Sequence, residues 1–354
     1  MLKGERPEFC RSCYQVEDAG GTSVRQDYYR LFLNNVGEMV RTTSADGAST
    51  YPLQDLDFSL SNNCNLKCRM CNPSASYGLH TDFRKLEIPF NAESAEKAYT
   101  LWQYEGLIQQ LIEDSDSKLK QILFTGGEPL INPVHAKVLK ALVERGLSQK
   151  IVIRYHSNLM IVPEEIQELW AEFAGVQLHV SLEGFGELND YIRHKSEWAR
   201  IVKNLNHVLQ LKKKTRLWIE IHTVFQAYNL SGIIDFLTFL RGYSKLLPCF
   251  PHFIWLDNPD FLTIKALPLE LRNREIDRLE AYLLEQRSFY EDSDFAEFNL
   301  NKLDILLAHL KRSRLTEFNE KLYTEFVLYT KKLDRLRNQN IINVAPRLAE
   351  LFKE

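Results

Sequence analysis

Residues Ser59 to Asn72 read "SLSNNCNLKCRMCN", and they carry Cys64, Cys68 and Cys71, three of the chain's six cysteines, within eight positions. The run "QDLDFSL", ending at Leu60, leads into it and has the alternating, β-favouring pattern of a strand. Three thiols are thus delivered by the loop that follows a strand. Working outward, five further strand patterns appear: "QILFT" ending at Thr125, "IVIRYH" at His156, "VQLHVSL" at Leu182, "RLWIEIHTV" at Val224 and "HFIWL" at Leu256. Between them lie the amphipathic stretches "YTLWQYEGLIQQLIED", "PVHAKVLKALVERG", "PEEIQELWAEFA", "WARIVKNLNHVLQLKKK" and "LSGIIDFLTFLRG". Strand alternating with helix predicts an α/β fold with a parallel sheet, and six such units suit an open, partial (β/α)6 barrel.

The flanks differ from this centre. Leu269 to Asn338 is rich in Leu, Glu, Lys and Arg and predicts helix throughout, while the first fifty residues, rich in Gly, Ser, Thr and Asp, read as irregular. The expected organisation is an irregular segment over 1–54, a barrel over 55–256 and a helical extension over 257–354. No signal peptide or membrane-spanning run is evident, so a cytoplasmic location with reduced thiols is expected. A formal net charge of -3 gives no global signal for nucleic acid.

Clustered cysteines in a reducing compartment point to metal or redox chemistry. Three thiolates can hold three irons of a [4Fe-4S] cluster and leave the fourth iron open. The alternatives are a zinc site completed by His80 and a set of unligated core residues. The strand ends add further groups. "TGGEP", Thr125 to Pro129, offers a close backbone approach at Gly126 and Gly127 and an acceptor at Glu128, beside Pro129. "HSNL" supplies Ser157 and Asn158, and "SLEG" supplies Ser181 and Glu183.

With these motifs on successive strand ends, the C-x3-C-x2-C loop closely resembles that of the radical S-adenosylmethionine (SAM) superfamily. The resemblance implies that Cys64, Cys68 and Cys71 hold a [4Fe-4S] cluster whose open iron chelates the amino and carboxylate groups of SAM. It implies reductive cleavage of SAM to methionine and a 5′-deoxyadenosyl radical, which abstracts hydrogen from a substrate. Gly126, Gly127, Glu128 and Pro129 would lie at the SAM amino group, and Ser157 and Asn158 near its carboxylate and ribose. Glu183, where the family carries Asp, would reach the ribose with Ser181 beside it. Arg193 in "NDYIRHKSEW" would pair with the SAM carboxylate, Met70 would pack near adenine, and Gln226 and Asn229 would line the adenine pocket.

"FCRSCYQVEDAGGTSVRQ", "SLEGFGELNDYIRHKSEWARIVKNLNHV" and "LDRLRNQNIINVAPRL" together resemble the twitch-type group of that superfamily, related to proteins with a SPASM domain, in which a shortened auxiliary-cluster domain lies beside the barrel. In relatives the C-x2-C-Y segment follows further cysteines, so this chain reads as starting partway into the pattern. Cys10 and Cys13 therefore read as a remnant, with half of a metal site completed by another chain, or a redox pair, as alternatives. Cys249 reads as a core residue. The resemblance implies a flavodoxin-like or ferredoxin-like electron donor and a peptide or small-molecule substrate. The competing function is a non-catalytic binding module stabilised by zinc.

Overall fold

A computed structural model describes residues 5–18, 23–91, 93 and 119–352. The stretch "YTLWQYEGLIQQLIED" lies outside the described residues. The chain divides into two compact units, residues 1–53 and 54–354.

In the first unit the expectation of irregular structure is corrected. It contains helices α1 (Arg11–Asp18), α2 (Val24–Leu31) and α3 (Val36–Arg41). Ser23 starts α2 with a capping box: its hydroxyl accepts from the Gln26 amide while the Gln26 side chain accepts from the Ser23 amide. Arg25 reaches back to Glu17 at 2.7 Å, and Arg6 to Asp18 at 2.8 Å. These helices are short and polar in composition, and α3 has no buried residue, so composition alone does not announce them.

The second unit is built on six parallel strands: β1 (Asp55–Ser59), β2 (Gln121–Thr125), β3 (Val152–Ser157), β4 (Gly175–Ser181), β5 (Leu217–Phe225) and β6 (His252–Trp255). Their order in the sheet is the order in the chain. Because right-handed crossovers then all step the same way, the connecting helices gather on one face and leave the other as the inside of an open barrel. The registers place Phe58 opposite Phe124, His156 opposite His179, and His222 opposite both Ser181 and His252.

Period-2 alternation separates the faces. Leu56, Phe58, Ile122, Phe124, Ile153, Tyr155, Leu178, Val180, Ile219 and Ile221 are buried on the helix side. Tyr155 shows this directly: its hydroxyl accepts from Trp170 at 3.2 Å and lies 2.8 Å from His135 Nε2. These partners belong to α6 (Glu164–Trp170) and α5 (Pro133–Glu144), which follow α4 (Leu79–Lys85). Asn132 caps α5 by accepting from the Val134 amide, with Pro133 at its first position. The helices α7 (Glu187–Ile192), α8 (Trp198–Leu211) and α9 (Ile233–Arg241) complete the set. The opposite face is polar, bearing Asp57, Arg154, His156, Gln177, His179, Glu220, His222 and His252.

Beyond β6 come α10 (Leu269–Glu285), α11 (Arg287–Glu291), α12 (Ala296–Arg314), α13 (Glu320–Arg337) and α14 (Ile341–Val344). α12 lies along β6, and its Lys302 reaches His252 Nδ1 at 2.8 Å. No helix among the described residues is long and apolar enough to cross a membrane.

Candidate active site

All the singled-out barrel motifs come together at the C-terminal ends of the strands. The cysteine loop leaves β1 and is held from three sides. From β2, Gly127 donates to Ser61 O at 2.6 Å and Glu128 donates to Asn63 O at 2.8 Å. The glycines are required for this: Gly126 has φ +107°, and a Cβ on Gly127 would sit 2.1 Å from Asn63 O. The close approach expected of these glycines is therefore made to the backbone that leads into Cys64. From the α7 side, Lys67 N donates to His194 O at 2.9 Å and Arg69 N to Ile192 O at 2.8 Å. From β3, Asn158 Nδ2 donates to Asn65 Oδ1 at 2.8 Å.

Glu128 joins the second loop to the third. Its carboxylate accepts from Ser157 Oγ at 2.9 Å, the Asn158 amide at 2.7 Å and the Leu130 amide at 3.2 Å. Burial raises its pKa to about 7 against those three donors. Pro129 is buried and starts a single 3₁₀ turn. Ser181 ends β4 half-buried, and Met70 is half-buried against the core.

Glu183 and Arg193, expected to reach the ribose and the SAM carboxylate separately, are here a pair. Glu183 Oε1 accepts from Arg193 Nη1 at 2.6 Å and Oε2 accepts from the Val224 amide at 2.7 Å. The longer side chain, one methylene more than Asp, spans to Arg193 and β5 and leaves both oxygens engaged inside the protein. Arg193 Nε has no hydrogen-bond partner. Burial works against the guanidinium charge, but Cys68, Glu183 and Cys64 beside it raise its pKa above the ordinary value. Asn229 and Gln226, expected at an adenine pocket, are fully buried, and Asn229 bonds to Glu183 O and Val224 O. They brace the loops after β4 and β5.

Cys68 is buried, Cys64 and Cys71 nearly so, and burial pushes the Cys64 and Cys71 thiols up to about 12. Ligation to a metal would deprotonate them outright. Their spacing bears on which metal group they fit. Sulfurs around one zinc stand about 3.8 Å apart, given Zn–S bonds of about 2.3 Å. The three cysteines form no such close group of donor atoms. His80, the suggested fourth zinc ligand, packs between Tyr77, tilted against it, and Phe90, edge-on to it, with Nε2 3.3 Å from Pro73 O.

Residues not singled out from the sequence complete the site. Arg69, between Cys68 and Met70, is fully buried: Nε donates to Tyr191 O at 3.0 Å, and Nη2 to Asp334 at 2.6 Å and Gln339 at 2.9 Å. Its guanidinium lies 3.5 Å from the Tyr191 ring centroid. Lys67 and Arg337 both bind Asp82 at 2.8–2.9 Å. Helix α13 is thereby bolted to the cysteine loop. On the polar face, His156, His179 and His222 bring their ring nitrogens within 4.8 Å of one another. A cavity of about 430 Å³ opens at the ends of β5 and β6, lined by Phe225, Trp255, Asp257, Lys265 and Arg312 among others.

The family model of the radical SAM superfamily matches residues 58–240, just over half of the chain. The chain belongs to the radical SAM superfamily. Its fold is the superfamily's α/β barrel, and members of the superfamily work with a [4Fe-4S] cluster and SAM. Three thiols on one loop, with the Arg193 guanidinium beside two of them, fit that group. No curated protein matches the chain. Among solved structures, SuiB of Streptococcus suis bound to S-adenosylmethionine is 14% identical, with TM-score 0.41, over 74% of this chain and 50% of that one. Native anSMEcpe with AdoMet and a Cp18Cys peptide is 17% identical, with TM-score 0.46, over 70% and 62%. TsrM from Kitasatospora setae, a radical SAM methyltransferase with cobalamin and a [4Fe-4S] cluster bound, is 12% identical, with TM-score 0.35, over 57% and 34%. The chain thus spans about half to three-fifths of the length of the first two.

Proposed function

We propose that the protein is a SAM-cleaving radical enzyme in which Cys64, Cys68 and Cys71 hold a [4Fe-4S] cluster. The observation that carries this is that the segments after β2 and β3 and the end of α7 all hold the three-cysteine loop by direct hydrogen bonds. When bound, the cluster supplies the electron that cleaves SAM to methionine and the 5′-deoxyadenosyl radical. The chain's own residues bind and orient. Glu128 offers a buried carboxylate to an ammonium group, and Gly126 and Gly127 fix the loop beside it. Ser157 and Asn158 hold that carboxylate in place. Arg193, kept charged and aimed by Glu183, has an unpaired Nε suited to a carboxylate. Ser181 and Met70 border the space left for ribose and adenine.

The proposed organisation is an N-terminal segment over 1–54, a barrel over 55–256 and a helical extension over 257–354. Within it the twitch-type assignment rests on the sequence resemblance, with Cys10 and Cys13 as a remnant of an auxiliary site. The cavity at the ends of β5 and β6 is the room proposed for a peptide or small-molecule substrate, and a flavodoxin-like or ferredoxin-like protein is the proposed electron donor. Anaerobic reconstitution with iron and sulfide tests the core of this. A reduced protein whose electron paramagnetic resonance signal shifts on adding SAM supports it; a colourless, zinc-binding protein refutes it.

A further inference from the structure

We propose that His156, His179 and His222 form a binding site for a divalent transition metal of the zinc class, inside the barrel and separate from the cysteine loop. The three residues come from three consecutive strands. Parallel pairing sets His156 opposite His179, and His222 stands opposite Ser181, two positions further along the same face of β4. One ring nitrogen from each lies within 4.8 Å of the other two. Three nitrogens around a tetrahedral ion at about 2.1 Å stand about 3.4 Å apart, so closure needs the separations to shorten by about 1.4 Å or less and the stacked His179 and His222 rings to turn towards one point.

The second observation is what these nitrogens lack. His179 and His222 are 6% and 9% exposed, and among the described residues neither His179 Nδ1 nor either nitrogen of His222 has a hydrogen-bond partner. Buried polar atoms are ordinarily satisfied, and an orphaned ring nitrogen on each of two neighbouring histidines, beside a third, calls for a ligand. Imidazole suits zinc, iron, copper and nickel, and a three-imidazole set leaves a fourth position open. Glu220 supports the assignment. Its Oε2 lies 3.6 Å from His222 Nε2, and its Oε1 accepts from Trp218 Nε1, so it is a held carboxylate beside a ligand histidine. His252 stacks on His222, and its Nδ1 is taken by Lys302; its ring offers no nitrogen to the close group of three. The site does not depend on the cysteine loop holding a cluster.

The test uses the full chain, reconstituted anaerobically so that the cysteine loop is filled, and titrated with Zn2+. Calorimetry, metal analysis and zinc K-edge absorption are recorded, with a Cys10→Ser/Cys13→Ser variant in parallel to subtract thiol-bound zinc. One added zinc per chain is expected, with a nitrogen and oxygen shell at about 2.0–2.1 Å. His179→Ala and His222→Ala should each weaken binding by about 100-fold or more, since even loss of an outer-shell partner costs 10–100-fold. His252→Ala should leave it unchanged. Circular dichroism and cluster absorbance check folding, and His179→Gln and His222→Asn serve where the alanine variants do not fold. Zinc uptake equal in the parent and these variants, or a shell of sulfur alone at about 2.3 Å, overturns the proposal.

Discussion

Asp334→Ala is the substitution that most exposes how the C-terminal helices support the cysteine loop. Asp334 lies on α13, and its carboxylate accepts from Arg69 Nη2 at 2.6 Å, Tyr191 OH at 2.8 Å and the Ile341 amide at 2.9 Å. Arg69 is fully buried, and the Asp334 side chain is 12% exposed, so solvent screens the pair little. Removing one partner of a buried pair leaves an uncompensated charge and costs about 3–5 kcal/mol. That is a large share of a stability of about 5–15 kcal/mol. Because Arg69 lies between two of the proposed cluster ligands, the loss should reach the loop first, and iron retained after reconstitution should fall with it. Replacing both partners, Arg69→Met with Asp334→Leu, should lie much nearer the parent, since a well-packed apolar pair replaces a buried ion pair at little net cost. Urea unfolding of the parent, Arg69→Met, Asp334→Leu and the double variant, with iron analysis of each and of Asp334→Ala, gives the coupling. A cost for Asp334→Ala below about 1 kcal/mol, the value of an exposed ion pair, refutes the bolt.

Three further outcomes follow from the site. Gly127→Ala places a Cβ on the Asn63 carbonyl, backbone against backbone, so the loop must shift; iron content after reconstitution should drop while the sheet's circular dichroism persists. Glu183→Gln should cost about 1.5–3 kcal/mol of stability, the range for hydrogen bonds to charged groups, because it removes the charge facing buried Arg193. Unchanged urea stability with weakened SAM binding would return Glu183 to a ribose contact. His135 is held neutral by burial, with a pKa near 3 against an ordinary 6.5. The unfolded chain therefore binds the extra proton first, and stability falls as pH drops from about 6.5 towards 3, by up to about 1.4 kcal/mol per pH unit. His135→Gln should flatten that slope in urea midpoints measured across the window, and an unaltered slope would remove His135 as its source.

The sheet was legible because its strands are local. "QILFT" matches β2 residue for residue, and the other five strands fall within a residue or two of their patterns, since buried parallel strands are short apolar or alternating runs between breakers. The strand-end motifs were legible for the same reason: each sits within a few residues of its strand. What was not legible is what sequence distance hides. Arg69 and Asp334 are 265 positions apart, and nothing in the periodicity around either announces the other. Glu183 and Arg193 were both singled out, but the ten-residue turn that brings them face to face is a property of α7 packing. The capping box at Ser23 and Gln26 was the one local sign of helix in a segment whose composition suggested none. The three histidines were in plain view on consecutive strands, and only the register shows that they meet.

The central claim is that this loop supports reductive cleavage of SAM, and 5′-deoxyadenosine is its direct product. The measurement is its formation, by chromatography and mass, from SAM and dithionite with the anaerobically reconstituted full chain, beside Cys64→Ala, Cys68→Ala and Cys71→Ala. The account predicts 5′-deoxyadenosine from the parent and none above background from any of the three variants. A reconstituted parent that carries the cluster but forms none, or formation that persists without one of those cysteines, would contradict it.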